Sequence, residues 1–333
     1  MAYVRLGESV QTIYAELLDQ LRAADAEAAL RGLSGTFVSK QIRGRTYWYL
    51  QKSEGAAKRQ IYLGAESPQL LKRIEDAASE RVSSTADEKR RRDIVAMLEA
   101  GGMYRESASI GVVLRILADA SVFRAGGVLV GPQAFTAIAN MLGVKVDTLV
   151  AKTNISVGIH EPAGLTLTSL HTSDPAFFSF RQAGSRRTSF KVRGRDLRVD
   201  FLTPASKTSR KPVFLRHLRV AAQPLEGLGY LIDNSVDAAV IAGGGVHVNV
   251  PAPARFALHK LWLAAERPAS EAAKAKKDLR QAEQLLDVLT DDRPDDVAAA
   301  WEAISPRKLT RGVRRSIKKL QPSLIERVKS LIS

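Results

Sequence analysis

The chain of 333 residues contains no cysteine, which excludes disulfide bonds and metal sites built from thiolates. It also lacks a long apolar run, because the most apolar stretch, residues 236–250, is short and interrupted by glycine. The first residues, MAYVRLGESVQ, contain no apolar segment of the kind found in secretory signals. These absences predict a protein of the reducing cytoplasm that neither enters nor crosses a membrane.

Positive charge, in contrast, is abundant and local. Residues 181–219 hold twelve Lys or Arg against two Asp, and residues 307–333 hold nine against one Glu. Together these two segments carry more positive charge than the whole chain, whose formal net charge is +15, so the remainder is slightly acidic. Such concentration is typical of a surface that binds a polyanion, although an ordinary solvated basic face has the same composition. We expect nucleic acid or phosphate as the partner.

Residues 195–204 show the clearest strand pattern, and Asp200 lies in its middle. Pro204 ends the strand because proline cannot donate to a ladder. The two predicted faces are Leu197, Val199 and Phe201 on one side, and Arg198, Asp200 and Leu202 on the other. Burying a lone carboxylate is costly unless a cation lies beside it. Asp200 is therefore either an ordinary aspartate, in a salt bridge or on an edge strand, or a metal-binding carboxylate of a phosphoryl-transfer site.

Three stretches near the N-terminus, 36–42, 45–51 and 58–63, also alternate and are separated by turn residues. They predict a three-stranded meander. Aromatic residues are interleaved there with Lys and Arg, as in sheets that stack on bases and contact phosphates. The alternative is that the aromatic residues form a core against neighbouring helices.

A buried strand at 123–131 ends in Gly131, and Pro132 opens a helix directly after it. Free amides and the helix dipole at such a turn accept phosphate, although many α/β units turn on glycine. We predict three regions. They are N-terminal helices with the meander (36–64) in 1–105, a core in 106–260, and a helical C-terminal region with a basic tail in 261–333.

Several ordered motifs resemble a bacterial nucleotidyltransferase-like family of the DNA-polymerase-beta-type superfamily. They are the Gly131 corner, LRVDFLTP at 197–204, VNVPAPARFALHKL at 248–261, KAKKDL at 274–279 and the meander's YWY at 47–49. The resemblance covers most of the chain and says little about the substrate. It implies an α+β fold: a nucleotidyltransferase-type mixed β-sheet flanked by helices, plus a small N-terminal β-meander and a helical C-terminal region.

In that superfamily a glycine turn holds a nucleoside triphosphate (NTP), and three carboxylates, two of them spaced Asp-x-Asp, hold two Mg²⁺ ions. The resemblance implies that Asp200 is the third carboxylate, a catalytic residue and metal ligand, and that Gly131 is the phosphate turn. Thr153, Lys260 and Lys277 would contact the nucleotide. For both lysines an ordinary place on a helix surface is an equal alternative.

The paired acids have no match in this chain. Where the family shows Thr-x-x-Asp-Ile-Asp or a close relative, the sequence has Thr153-Asn154-Ile155-Ser156-Val157. Asn154 and Ser156 are close in size to the expected acids but carry no charge, and a single carboxylate should hold Mg²⁺ poorly. The chain is therefore either a degenerate natural member or a deliberately inactivated form.

We expect a protein that transfers, or descends from enzymes that transfer, a nucleotide from NTP to a polyanionic acceptor such as RNA or tRNA, with Mg²⁺ as cofactor. The alternative is a catalytically silent pseudoenzyme that binds nucleic acid or a partner protein. The expected nucleic-acid contacts are basic or aromatic: Arg43, Arg45, Trp48, Arg186, Arg187, Arg195 and Arg198.

Overall fold

The computed structural model describes residues 3–31, 36–42, 44–54, 57–147, 154–160, 188–191, 197–206, 211–215, 220–305 and 307–332. The N-terminal elements are β1 (Tyr3–Arg5), α1 (Glu8–Arg31), β2 (Thr36–Ile42), β3 (Arg45–Glu54), β4 (Ala57–Ala65) and α2 (Pro68–Ala100). Next come α3 (Ala108–Asp119), β5 (Val128–Val130), α4 (Pro132–Met141), β6 (Val144–Val146), β7 (Asn154–Gly158), β8 (Ser189–Lys191) and β9 (Arg198–Pro204).

The remaining elements are strands and a short helix at first, and then only helices. They are β10 (Val213–Leu215), β11 (Val220–Leu225), α5 (Leu228–Ile232), β12 (Ser235–Val240), β13 (Val246–Pro251), α6 (Pro253–Glu266), a single 3-10 turn (Ala269–Glu271), α7 (Ala272–Asp292), α8 (Pro294–Glu302), α9 (Arg307–Ile317) and α10 (Pro322–Leu331). This distribution confirms the predicted α+β class with a helical C-terminal region.

The central sheet has six strands in the order β10-β11-β9-β7-β5, with β8 also paired to β9. The β11–β9 and β9–β7 pairs are parallel, whereas β5–β7, β10–β11 and β8–β9 are antiparallel. The mixed sheet is therefore confirmed. Strand β9 also has the predicted faces: Leu197, Val199 and Phe201 are buried, and the strand ends at Pro204.

The predicted meander is confirmed as the antiparallel sheet β2-β3-β4. On β3 and β4 the rings of Tyr47 and Tyr49 both lie against Tyr62, with ring centroids 6.2 and 5.5 Å apart. Trp48 projects to the other side, where its indole nitrogen donates to Glu66 at 3.1 Å. The alternation of residues 47–49 thus separates the tyrosines from the tryptophan.

One hydrophobic core runs from Ile110 to Ile332 and joins the central sheet to the C-terminal helices. A smaller core holds α1 and α2 against Ala239 and Ile241. The predicted boundary at residue 260 lies inside α6, which buries Phe256 and Leu261 in the larger core. The division into three regions stays a prediction.

Trp262 on α6 fits between two glycines. A Cβ atom at Gly227 would lie 2.6 Å from the Trp262 ring, and one at Gly312 on α9 would also lie 2.6 Å from it. Real Cβ contacts are never so short, so both positions need glycine for this close approach. The tryptophan therefore fixes α9 against the loop that follows β11.

Within the part of the chain that the structure describes, no helix combines the length and apolar character needed to cross a bilayer.

His259 on α6 is buried beside the Trp262 ring, with ring centroids 5.2 Å apart. Burial, reinforced by the charge of Lys260, lowers the pKa of His259 to about 3. The unfolded chain binds a proton at this residue below about pH 6.5, whereas the folded chain stays neutral there. The contribution of His259 to stability is therefore intact above pH 6.5 and falls as the pH decreases.

We predict that His259→Leu flattens the pH dependence of the free energy of unfolding between pH 7 and 5. Relative to the variant, the wild type should lose about 2 kcal/mol over this interval, since each unit of pKa difference is worth about 1.4 kcal/mol. Urea denaturation at pH 7, 6 and 5 measures the difference. Parallel pH curves for the two proteins would contradict a buried neutral histidine.

Candidate functional site

The pairing of β7 with β9 determines the geometry of the candidate site. These strands are parallel, and their register places Ser156 directly opposite Asp200 and Asn154 opposite Arg198. Directly opposed residues on neighbouring strands are about 5 Å apart. Because side chains alternate along a strand, Asn154, Ser156 and Asp200 share one face of the sheet.

The opposite face of these two strands lies in the core, where Ile155, Val199 and Phe201 are fully buried. This alternation of apolar residues orients the polar side chains outward, since a shift of one residue would bury them. Asn154 is exposed, and Ser156 and Asp200 are half-buried. Asp200 is therefore accessible to a ligand.

Helix α5 covers the far end of the polar face. A Cβ atom at Gly158 would lie 3.0 Å from Ile232, and one at Gly229 would lie 3.6 Å from Pro204. Gly158 and Pro204 follow Ser156 and Asp200 at even spacing on their strands and so lie on the same face. Helix α5 thus covers this face at the carboxyl ends of β7 and β9, two residues beyond Ser156 and four residues beyond Asp200.

Gly131 stands at the corner between β5 and α4. Its φ of 77° and ψ of −148° suit glycine far better than other residues, and it is the N-cap of α4. A Cβ atom there would have no neighbour within 4 Å, so the space in front of the corner is open. The first amides of a helix lack intrahelical acceptors and present a partial positive charge. The corner can therefore accept an anion.

The sheet brings this corner close to Asp200. Val130, the residue before Gly131, lies opposite Ser156, and Ser156 lies opposite Asp200. Two strand spacings of about 4.8 Å place Val130 on the order of 10 Å from Asp200. On the other side of β9, Ser189 is also opposite Asp200. The predicted phosphate turn and the predicted carboxylate therefore border the same small area.

The donors of this area are one carboxylate, from Asp200, and the neutral oxygens of Asn154 and Ser156. Among the described residues, no group of three or more His, Asp or Glu side chains is arranged to hold a metal ion. Thr153, the remaining residue of this predicted motif, lies outside the described residues.

Lys260, predicted to contact a nucleotide, makes a buried ion pair. Its Nζ lies 2.8 Å from Oδ1 of Asp278, and the side chains of the two residues are 13% and 4% exposed. Arg267 binds the second oxygen of Asp278 at 2.7 Å. Burial raises the pKa of Asp278, but the two cations outweigh this effect and hold it below the usual range. Lys277 lies half-buried on α7, and a nucleotide contact stays a prediction for both lysines.

Of the predicted nucleic-acid contacts, Arg45, Trp48 and Arg198 are described. Arg45 and Arg198 are exposed, and Trp48 is half-buried beside Glu66. Arg198 begins β9 two residues before Asp200. Arg43, Arg186, Arg187 and Arg195 lie outside the described residues.

Sequence reasoning missed two features of these surfaces. Tyr62, 57% exposed, completes a group of three tyrosines, and Lys40 lies 5.0 Å from the ring centroid of Tyr49. The alternation of β4 could have placed Tyr62, but its register with Tyr49 depends on a bulge between Trp48 and Tyr49. Residues 189–192 and the turn sequence Arg193-Gly194 predict a hairpin with the Asp200 strand, and the pairing of β8 with β9 confirms it, but a lone serine gave no signal that Ser189 belongs to the site.

The chain matches a known protein family. A family model described as nucleotidyltransferase matches residues 108–305, which is more than half of the chain and includes β5, α4, β7 and β9. Searches of curated proteins and of solved structures gave no match. The chain belongs to a nucleotidyltransferase family.

Proposed function

We propose that this chain is a bacterial-type nucleotidyltransferase-fold protein that binds NTP at the Gly131 corner beside Asp200. Its acceptor is a polyanion, RNA such as tRNA. The observation that carries the proposal is the register of β7 and β9, which gathers Asn154, Ser156 and Asp200 on one face next to the corner. In the proposed arrangement the amides at the start of α4 bind the triphosphate and Asp200 faces the reacting end.

Whether Mg²⁺ suits this site depends on the donor set. A carboxylate and a hydroxyl can hold one Mg²⁺ that arrives with phosphate oxygens, because Mg²⁺ often keeps water and uses one or two protein carboxylates. Asp200 and Ser156 are such a pair. They do not suffice for two metal ions, since Asn154 and Ser156 add no negative charge. When bound, Mg²⁺ would neutralise charge on the leaving pyrophosphate.

A second candidate is a pseudoenzyme that keeps the fold and binds nucleotide, nucleic acid or a partner protein without turnover. The neutrality of Asn154 and Ser156 favours it. In an active site, acids at these two positions would complete the set of three carboxylates that could hold two metal ions. Their replacement should raise the barrier to transfer by several kcal/mol while leaving the phosphate corner intact. Binding is therefore expected to persist where catalysis is weak.

We predict that Asn154→Asp combined with Ser156→Asp increases nucleotide transfer by at least about 10², because each 1.4 kcal/mol of barrier is a factor of ten. The measurement incubates labelled NTPs, Mg²⁺ or Mn²⁺ and bulk RNA with the wild type or the double variant. The acids will repel each other and Asp200 without metal, so the double variant should also gain more thermal stability from Mg²⁺ than the wild type.

The matched control for this experiment adds Asp200→Asn to the double variant and should lose both the transfer and the Mg²⁺ effect. Transfer by the wild type at the rate of the double variant would reject the pseudoenzyme. No transfer by either protein, together with no Mg²⁺ effect on the double variant, would remove nucleotide transfer from the function of this site.

We predict that Gly131→Ala weakens binding of an NTP roughly tenfold, since a side chain strains the φ of 77° and disturbs the first amides of α4. The matched control is Gly126→Ala. Gly126 has a φ of 84° and likewise has no atom within 4 Å of an added Cβ. Both variants should lose about 1–2 kcal/mol of stability, but only Gly131→Ala should lose affinity in calorimetric titration. Equal affinity for the two variants would exclude the corner as the phosphate site.

A further inference from the structure

The cations of α9 form two rows with different surroundings. Lys308 and Arg315, seven residues apart, lie on one side of the helix and contact acids of neighbouring elements. Lys308 binds Glu226 at 2.9 Å, and Arg315 binds Glu266 at 2.6 Å. These two residues tie α9 to the loop after β11 and to the end of α6. Their charge is thus already neutralised within the protein.

A second row of cations runs along another side of α9. Arg307, Arg311 and Arg314 follow one another at spacings of four and three residues, and Lys318 continues the row in the turn after the helix. All four are exposed, and among the described residues none of them is ion-paired with an acid. The guanidinium of Arg314 lies over the ring of Trp301, 5.4 Å from its centroid. We call these four residues the arginine row.

The space among these side chains is open to solvent. It measures about 420 Å³ and is lined by Arg307, Thr310, Arg311 and Arg314, all of which belong to α9. Four like charges along about 16 Å of helix repel one another unless an anion lies between them. Guanidinium groups bind phosphate oxygens in a bidentate fork, which makes arginine the preferred residue for phosphate recognition.

A lipid surface fits this helix poorly. The apolar residues of α9, including Leu309, Val313 and Ile317, are buried in the main core and cannot enter a membrane interface. A small phosphate would use only part of a row of this length. A chain with phosphates at regular intervals can satisfy the whole row.

The position of α9 relative to β9 also favours a polymer. Glu226, the partner of Lys308, follows Leu225, which pairs with Pro204 at the end of β9. Asp200 lies four residues before Pro204, on the order of 13 Å along the strand. The two regions are thus too far apart for one mononucleotide to contact both.

We infer that the arginine row of α9 binds the phosphate backbone of a nucleic acid. The inference rests on the proposed function only in identifying that nucleic acid as the acceptor. The binding itself does not depend on nucleotide transfer.

The test compares two double variants that remove equal charge from the same helix. Arg311→Gln with Arg314→Gln removes two members of the arginine row, and Lys308→Gln with Arg315→Gln removes the two acid-paired cations. Fluorescence anisotropy measures binding of a 20-nucleotide RNA, and of DNA of the same sequence, from 50 to 200 mM salt. Urea denaturation confirms that both variants fold.

The row variant should bind RNA on the order of tenfold more weakly at 100 mM salt. The slope of log affinity against log salt should decrease in magnitude by about 1.4, since each lost single-strand phosphate contact contributes about 0.7. The variant of the paired cations should change the affinity less than about twofold. If the row variant loses more affinity for RNA than for DNA, the row favours RNA, the proposed acceptor. If it loses affinity for both nucleic acids equally, the row contacts the phosphate backbone that they share.

Two results would overturn the inference: no RNA or DNA binding by the wild type at 50 mM salt, or equal losses of affinity in the two double variants. These outcomes are separate from those of the labelled-NTP experiment. If the row variant loses RNA binding and no protein transfers nucleotide, the inference about the arginine row holds and the proposed nucleotide transfer fails. If the Asn154→Asp, Ser156→Asp variant transfers nucleotide and the two α9 variants lose equal affinity, the proposed transfer holds and the inference fails.

Discussion

The parallel pairing of β7 with β9 is the constraint on which the site depends. The apolar residues of the two strands, Ile155, Val199 and Phe201, are fully buried in the observed register, and a slip of one residue would turn them away from the core. In that register the polar residues of the two strands lie side by side. The relation between Asp200 and Ser156 is thus a product of core packing, and changes of the polar residues should leave it intact.

Much of this arrangement could be predicted locally. Alternation in residues 197–204 was enough to assign the faces of β9 and its end at Pro204, and turn residues were enough to place the meander. The pairing of β9 with β7 had no local signal, because the parallel connection between them spans some forty residues and pairing at such separation depends on the whole sheet. The resemblance to a family implied only that residues 154–156 and Asp200 belong to one site, and the structure places them on neighbouring strands.

Contacts between elements that are distant in the sequence could not be predicted for the same reason. Lys260 lies at a helical position that could face solvent or a ligand, but Asp278 and Arg267 surround it with buried charge. Breaking such a group is costly because a buried charge loses its partner. The basic C-terminal segment showed a different difficulty, because its composition predicted a polyanion surface but not which cations are already paired. The structure identifies the paired cations by their contacts with Glu226, Glu266, Asp287, Asp291 and Glu326.

Trp262 connects these regions mechanically. Its ring lies between Gly227 and Gly312 with no room for another carbon atom, so it packs α9 directly against the loop after β11. That loop continues directly from Leu225, the partner of Pro204 on β9. Trp262 thereby links the packing of α9, through Leu225 and Pro204, to the strand that presents Asp200. Enlarging either glycine would loosen this linkage without altering a single charged group.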